Sequence, residues 1–192
     1  VLVLFSDIIV IVVFDKRFVL GYHPVRRWEV KLGGITMIPF FANYLRNLED
    51  IHNDVRTAIK GLPQEVLDWA PSPDMNSMAV LVIHLIGAEQ YWIGDVIVGE
   101  SSGRDRDSEF RVDGITGNEL LQKLVAVERY IQRVLETMPE QRLDEKRVSP
   151  RNGREVSVGW AMCHALKHTA LHAGHIQITR QLWEQQHSSD GG

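Results

Sequence analysis

Four of the chain's eight histidines, His164, His168, His172 and His175, fall within twelve residues of the run CHALKHTALHAGHIQITRQLW. At about 100° per residue, spacings of four, four and three place them on one stripe of an α-helix, all within roughly 40° of His168. Neutral imidazole is a common zinc ligand, and an i, i+4 pair brings two ring nitrogens to bear on one ion. The same stripe also occurs as a solvated polar face or as hydrogen-bonding partners of neighbouring helices, and a single HxxxH arises easily. The apolar residues leave both readings open. Trp160, Leu166, Leu171, Ile176 and Ile178 spread around much of the circumference, as on a helix buried on several sides.

A metal requires a third ligand. His84 stands alone in the apolar run AVLVIHLIGA, where a buried imidazole needs a partner. By itself it is more simply a satisfied core histidine. Beside a histidine stripe on another bundle helix it becomes a candidate ligand, since bundle cores build metal sites from side chains projecting inward from facing helices. Three histidines with open coordination positions are the pattern of a catalytic rather than a closed structural site.

The elements that must position these residues are helical. Phe41, Tyr44, Leu45, Leu48, Ile51, Val55, Ile59 and Leu62 trace a stripe of about six turns. A short turn over 65–69 and the breaker Pro71-Ser72-Pro73 follow. Asn76 or Ser77 can cap a second helix, which runs to about Val98. After a polar, turn-rich linker over 99–107, Thr116-Gly-Asn-Glu119 forms a capping box for a third helix with Leu120, Leu124, Val127, Ile131 and Leu135. A loop containing Pro139 and Ser149-Pro-Arg-Asn-Gly leads to a fourth helix, from near Ser157 to about Gln185. The expected fold is all-α: a four-helix bundle over 37–186, a short β-hairpin extension over 1–36 and a flexible tail over 187–192. In the extension, strands are expected at 8–14, 18–22 and 27–30, with Gly33-Gly34 breaking the pattern.

Composition narrows the function. A length of 192 residues suits one domain with a sizeable core. A net charge of −4 argues against nucleic-acid binding, which needs a basic footprint. The apolar stretch near the N-terminus is shorter than a membrane span and contains Asp7, so no membrane partner is expected. One cysteine, Cys163, excludes an intrachain disulfide and fits a reducing, cytoplasmic setting. It points roughly 140° away from the histidine stripe and is expected to be a small core residue. No Gly-rich phosphate loop is present.

Asp74-Met-Asn-Ser77 leading into LVIHLIGAEQYW, together with HTALHAGHIQITRQLW, resembles the DinB/YfiT-like family of metal-binding four-helix bundles over roughly Met37 to Trp183. The resemblance implies a divalent metal, zinc or nickel, held by His84, His168 and His172. The family often reads H-x-G-Q-I after the last ligand; here His175 stands where glutamine is common and reads as a pocket or outer residue. His164 and His168 form a competing pair of the same spacing, which the family's Ala-Gly-His-Ile placement disfavours. His52 and His187 are expected to take no part. FDKRFVLGYHPVRRWEVKLGG also resembles the opening strands of a Nudix domain, but the Glu-rich helix of a Nudix site is missing, so residues 1–36 are expected to add nothing to the metal chemistry.

The superfamily includes mycothiol-dependent maleylpyruvate isomerase and bacillithiol S-transferases, in which a metal activates a low-molecular-weight thiol. The resemblance therefore implies a thiol cosubstrate, a small electrophilic substrate and a homodimer. Hydrolysis by a metal-bound hydroxide, and a non-catalytic metal- or ligand-binding module, are the alternatives. His175 is the candidate for proton movement, and Tyr91, on the His84 face two turns on, for a hydrogen bond into the pocket. Glu89 points about 140° away from His84, and no other carboxylate stands out as a general base. Trp92 and Trp160 read as packing residues.

Overall fold

The computed structural model describes residues 30–32 and 35–188, and four helices dominate it: α1 (Pro39–Ile59), α3 (Met78–Glu89), α5 (Gly117–Thr137) and α6 (Val158–Ser188). Between them lie two short helices, α2 (Gln64–Asp68) and α4 (Arg106–Glu109). The bundle is preceded by an antiparallel pair, β1 (Val30–Leu32) and β2 (Ile35–Met37), in which Val30 faces Met37. Met37 is buried among the core residues and ties the hairpin to the bundle. The strands expected at 8–14 and 18–22 and most of the Nudix-like segment lie outside the described residues; of the tail expected over 187–192, His187 and Ser188 belong to α6 and 189–192 lie outside them too.

Each long helix starts where local chemistry satisfies its free N–H groups. Pro39 occupies the first turn of α1, where a missing N–H costs nothing. The Ser77 hydroxyl accepts the Val80 N–H at 3.2 Å and caps α3. Thr116 and Glu119 form the expected reciprocal capping box at α5. The Ser157 hydroxyl accepts the Trp160 N–H at 3.1 Å at the head of α6. Phe41, Leu48 and Ile59 from α1, Leu85 from α3 and Leu124 and Ile131 from α5 are fully buried against one another. Helix α3 is apolar on nearly every side and lies inside the bundle. Although Met78–Val98 is long and apolar enough to cross a membrane, 78% of its most apolar 18-residue window is buried within the protein.

Four features depart from the sequence reading. The second helix reaches Val98 as expected, but Gln90–Val98 winds as a π-helix, closed by Gly99 at φ 88°. The polar linker carries α4. The loop before α6 contains a 3₁₀ turn (Glu140–Asp144) and a tight hairpin, β3 (Lys146–Val148) with β4 (Glu155–Ser157). Nor is α6 buried on several sides: Leu171 and Ile178 are exposed. Its inner face is instead made of small residues, Ala161, Ala165, Thr169 and Ala173, which let it lie close against α1 and α3.

A buried polar chain links all four long helices. His52 on α1 is fully buried and bonds Glu89 on α3 through Nε2 and Glu128 on α5 through Nδ1, both at 2.9 Å. The Thr169 hydroxyl on α6 donates to Glu89 Oε1 at 2.7 Å, and Arg56 pairs with Glu128. Burial works against a charge on His52, but the two carboxylates outweigh it and raise its pKa to about 9. Because this folded value exceeds the unfolded 6.5, the stabilisation is complete below about pH 6.5 and is lost as pH rises through about 9. Urea unfolding across this range should show a fall in stability on the alkaline side. His52→Asn should abolish that slope and cost about 3–5 kcal/mol at neutral pH, because it strands a buried carboxylate. An unchanged slope in the variant would contradict the assignment.

Candidate metal centre

His84 projects from the buried face of α3 and is 6% exposed; His168 and His172 project from the facing side of α6 and are half-buried. One nitrogen from each of the three rings lies within 4.8 Å of the others. The ring centroids are 5.1 Å apart for His84–His168, 4.9 Å for His84–His172 and 4.4 Å for His168–His172. Nε2 of His168 and Nε2 of His172 face each other at 3.2 Å. Two imidazole nitrogens at that distance either share one proton or turn two lone pairs toward one cation.

Proton competition at this site is weak. Burial, reinforced by the imidazoles of His172 and His84, lowers the His168 pKa to about 3. Burial and then His84 and His175 lower that of His172 to about 4. Both rings are therefore neutral at neutral pH, with lone pairs available. His168 Nδ1 is buried without a hydrogen-bond partner, so this ring is not a satisfied core histidine. A nitrogen-only donor set of this kind suits zinc, nickel or another borderline divalent metal, and not magnesium or calcium, which favour oxygen.

The orientation of His84 is fixed by a residue the sequence reading passed over. Glu109, on α4, is buried and accepts the His84 Nδ1–H at 2.8 Å. A carboxylate only accepts, so a proton sits on Nδ1 and Nε2 is the nitrogen left for a metal. Arg104 grips the same carboxylate with Nε at 2.5 Å and Nη2 at 2.8 Å. Burial pushes the Glu109 carboxyl up, but Arg104 and His84 outweigh it and hold it below the usual carboxylate range. Glu109 reaches α3 only because residue 87 is glycine: a Cβ built there would collide with Glu109 Oε1. The isolated Gly87 within an apolar helix was the one available signal, since glycine inside a helix costs about 1 kcal/mol and needs a packing reason.

Two of the three rings, His84 and His168, line a cavity of about 170 Å³ whose walls also include Tyr91, Trp92, Ser149 and His164. The competing His164/His168 pair is not formed, because the His164 ring is 6.4 Å from that of His168. It stacks instead on Trp160 at 4.7 Å and meets the Trp92 ring at 4.6 Å; Trp92 lines the cavity and Trp160 backs the His164 ring, while both pack against the core. The Tyr91 hydroxyl is 2.6 Å from Ser149 Oγ and accepts the Arg151 N–H at 3.3 Å, joining the π-helical segment to the β3–β4 turn. His175 is exposed and its Nδ1 is 3.4 Å from His172 Nδ1, behind the triad rather than in the cavity. His52 belongs to the buried polar chain, and His187 stacks on Trp183 far along α6. Cys163 is exposed on α6, not a core residue as expected.

Bundle, triad and cavity define a DinB/YfiT-like protein. The profile of the mycothiol S-transferase family matches residues 44–185, and the chain belongs to that family. Solved structures share the fold at low identity. A conserved protein from Enterococcus faecalis superposes with a TM-score of 0.63 at 15% identity, covering 73% of this chain and 95% of that one. YfiT from Bacillus subtilis, described as a probable metal-dependent hydrolase with an unusual four-helix bundle topology, gives 0.62 at 15% identity over 80% and 93%. The DinB-like protein YjoA from Bacillus subtilis gives 0.56 at 16% identity over 72% and 90%. No curated protein matches the sequence.

The Glu109 contact is directly testable. In metal-free protein, nitrogen-15 NMR should find His84 as the Nδ1–H tautomer. In Gly87→Ala the added methyl should displace Glu109, and the Nε2–H tautomer should gain population. The same Nδ1–H tautomer in both proteins would show that Glu109 does not set it.

Proposed function

We propose that the protein holds a divalent metal through His84, His168 and His172 and uses it to transfer a low-molecular-weight thiol to a small electrophile. The observation carrying this reading is the convergence of three imidazoles, one oriented by Glu109 and two of them lining a cavity. Membership of the mycothiol S-transferase family supplies the reaction class. When bound, the metal lowers the pKa of a coordinated thiol, making a thiolate available near neutral pH.

The chain's own residues do the rest. Glu109 draws on the Nδ1–H of His84 and strengthens Nε2 as a donor. His175 positions His172 from behind and reaches the reacting centre only through it. His164 is held below its ordinary pKa by burial, then by Lys167 and Arg154, and so stands neutral on the cavity wall. It is placed to take the proton that the thiol loses. The sulfur pair then forms the S–C bond while the electrophile's leaving group or π pair takes the charge. Trp92 and Trp160 hold the His164 ring, and Tyr91 anchors the β3–β4 turn that closes one side. The exposed Leu171, Ile178 and Leu182 of α6 give a homodimer an apolar face to bury.

Protein purified without a histidine tag should contain close to one divalent metal per chain. His84→Ala, His168→Ala and His172→Ala should lose it, and His187→Ala should retain it. Glu109→Gln should weaken metal affinity or activity about 10- to 100-fold. With a thiol and a fluorogenic alkyl halide, turnover should require both metal and added thiol. Cys163→Ser should match the parent, whereas His164→Phe should keep its metal and lose about 100-fold in kcat. Thiol-independent turnover of an ester would establish a hydrolase instead, and metal retention with neither activity a binding module.

A further inference from the structure

The charged side chains around the cavity beside the triad are all of one sign. Arg104, Arg106 and Arg151 line it, and no carboxylate does. This happens in a chain whose net charge is −4, so the local excess of cations is not a reflection of overall composition. Arg104 is committed to Glu109 through two hydrogen bonds. Arg106 and Arg151, by contrast, have no carboxylate partner among the described residues. The Arg106 side chain and the Arg151 backbone are nevertheless held in place. The Arg106 guanidinium lies 4.8 Å from the centroid of the Phe110 ring, which itself packs 4.8 Å from His84. Arg151 sits in the β3–β4 turn, its N–H bonded to the Tyr91 hydroxyl.

One guanidinium held against Phe110 and a second, exposed one carried by the β3–β4 turn line the same partly enclosed cavity and form a receptor for a planar anion. A guanidinium matches a carboxylate with two parallel N–H···O bonds, and low-dielectric walls strengthen the attraction. We infer that the cavity takes a ligand bearing a carboxylate, read by Arg106 and Arg151 while its reacting end lies at the histidine triad. The inference rests on the proposed function in one respect: the carboxylate belongs either to the thiol or to the electrophile.

The test uses cobalt-loaded protein, with thiol binding read from the sulfur-to-cobalt charge-transfer band. The probes are 3-mercaptopropionate and its neutral counterpart 3-mercaptopropanol. Wild type should bind the carboxylate about tenfold or more tightly than the alcohol, as expected for a charge-assisted hydrogen-bonded pair. Arg106→Gln/Arg151→Gln should lose that preference and keep its affinity for the alcohol. No preference in wild type, or the same preference in the double variant, would overturn the inference while leaving thiol binding intact. A second arm measures succinate against succinamide by calorimetry and needs no thiol. If cobalt takes neither thiol, the S-transfer reading fails. The succinate arm then decides the anion site: tighter binding to wild type than to the double variant supports it, and equal binding overturns it. Succinate that binds alongside 3-mercaptopropanol assigns the carboxylate to the electrophile; succinate displaced by it assigns the carboxylate to the thiol.

Discussion

Burying both ring nitrogens of His52 between Glu89 and Glu128 constrains α1, α3 and α5 together, because neither the imidazolium nor the carboxylates can be left unpaired in an apolar core without a cost of several kcal/mol. Thr169 extends the constraint to α6. Thr169 is the residue after His168, so the bond that seats it on Glu89 also fixes the rotation that turns His168 and His172 toward α3. Glu89 stands five residues after His84 on the other side of the same helix. One side of α3 therefore holds the bundle in register, and the opposite side carries His84 of the triad. A hydrophobic core alone would tolerate small rotations of α6; a three-nitrogen site would not.

The second layer of organisation is the approach of α4 to α3 at Gly87. It brings Glu109 behind His84, and Arg104 neutralises the carboxylate that would otherwise be buried beside the ring. The outcome is a histidine with a defined tautomer, between two α6 histidines that burial keeps neutral. The π-helical segment completes the site from the other end. It places Tyr91 against the β3–β4 turn and Trp92 against His164, consistent with the frequent use of π-helical turns at functional sites.

The long elements were legible in the sequence because their signals are local. Phe41, Leu48 and Val55 share the buried face of α1, and the Thr116/Glu119 box marks the start of α5 where the capping pattern predicts it. Spacing alone left His164/His168 and His168/His172 as competing pairs, and the resemblance to the DinB/YfiT-like family selected the three rings that the fold brings together. What was not legible depends on tertiary contact. Glu109 lies just past the polar linker read over 99–107, and only its approach to Gly87 makes it part of the site. The three-residue strands of the β3–β4 hairpin are too short to show alternation. His52 falls on the apolar stripe of α1, where periodicity cannot reveal that two distant carboxylates meet it. The exposure of Leu171, Ile178 and Cys163 escaped notice because α6 carries apolar residues on more than one side.

The central claim is that three imidazoles, and no carboxylate, hold one divalent metal at the wall of the cavity. X-ray absorption fine structure of the zinc- or nickel-loaded protein tests it most directly. The account predicts an inner shell whose imidazole multiple scattering fits three rings, with the remaining positions filled by light atoms from solvent. A shell fitted by one or two imidazoles, or one dominated by carboxylate oxygen, would contradict it.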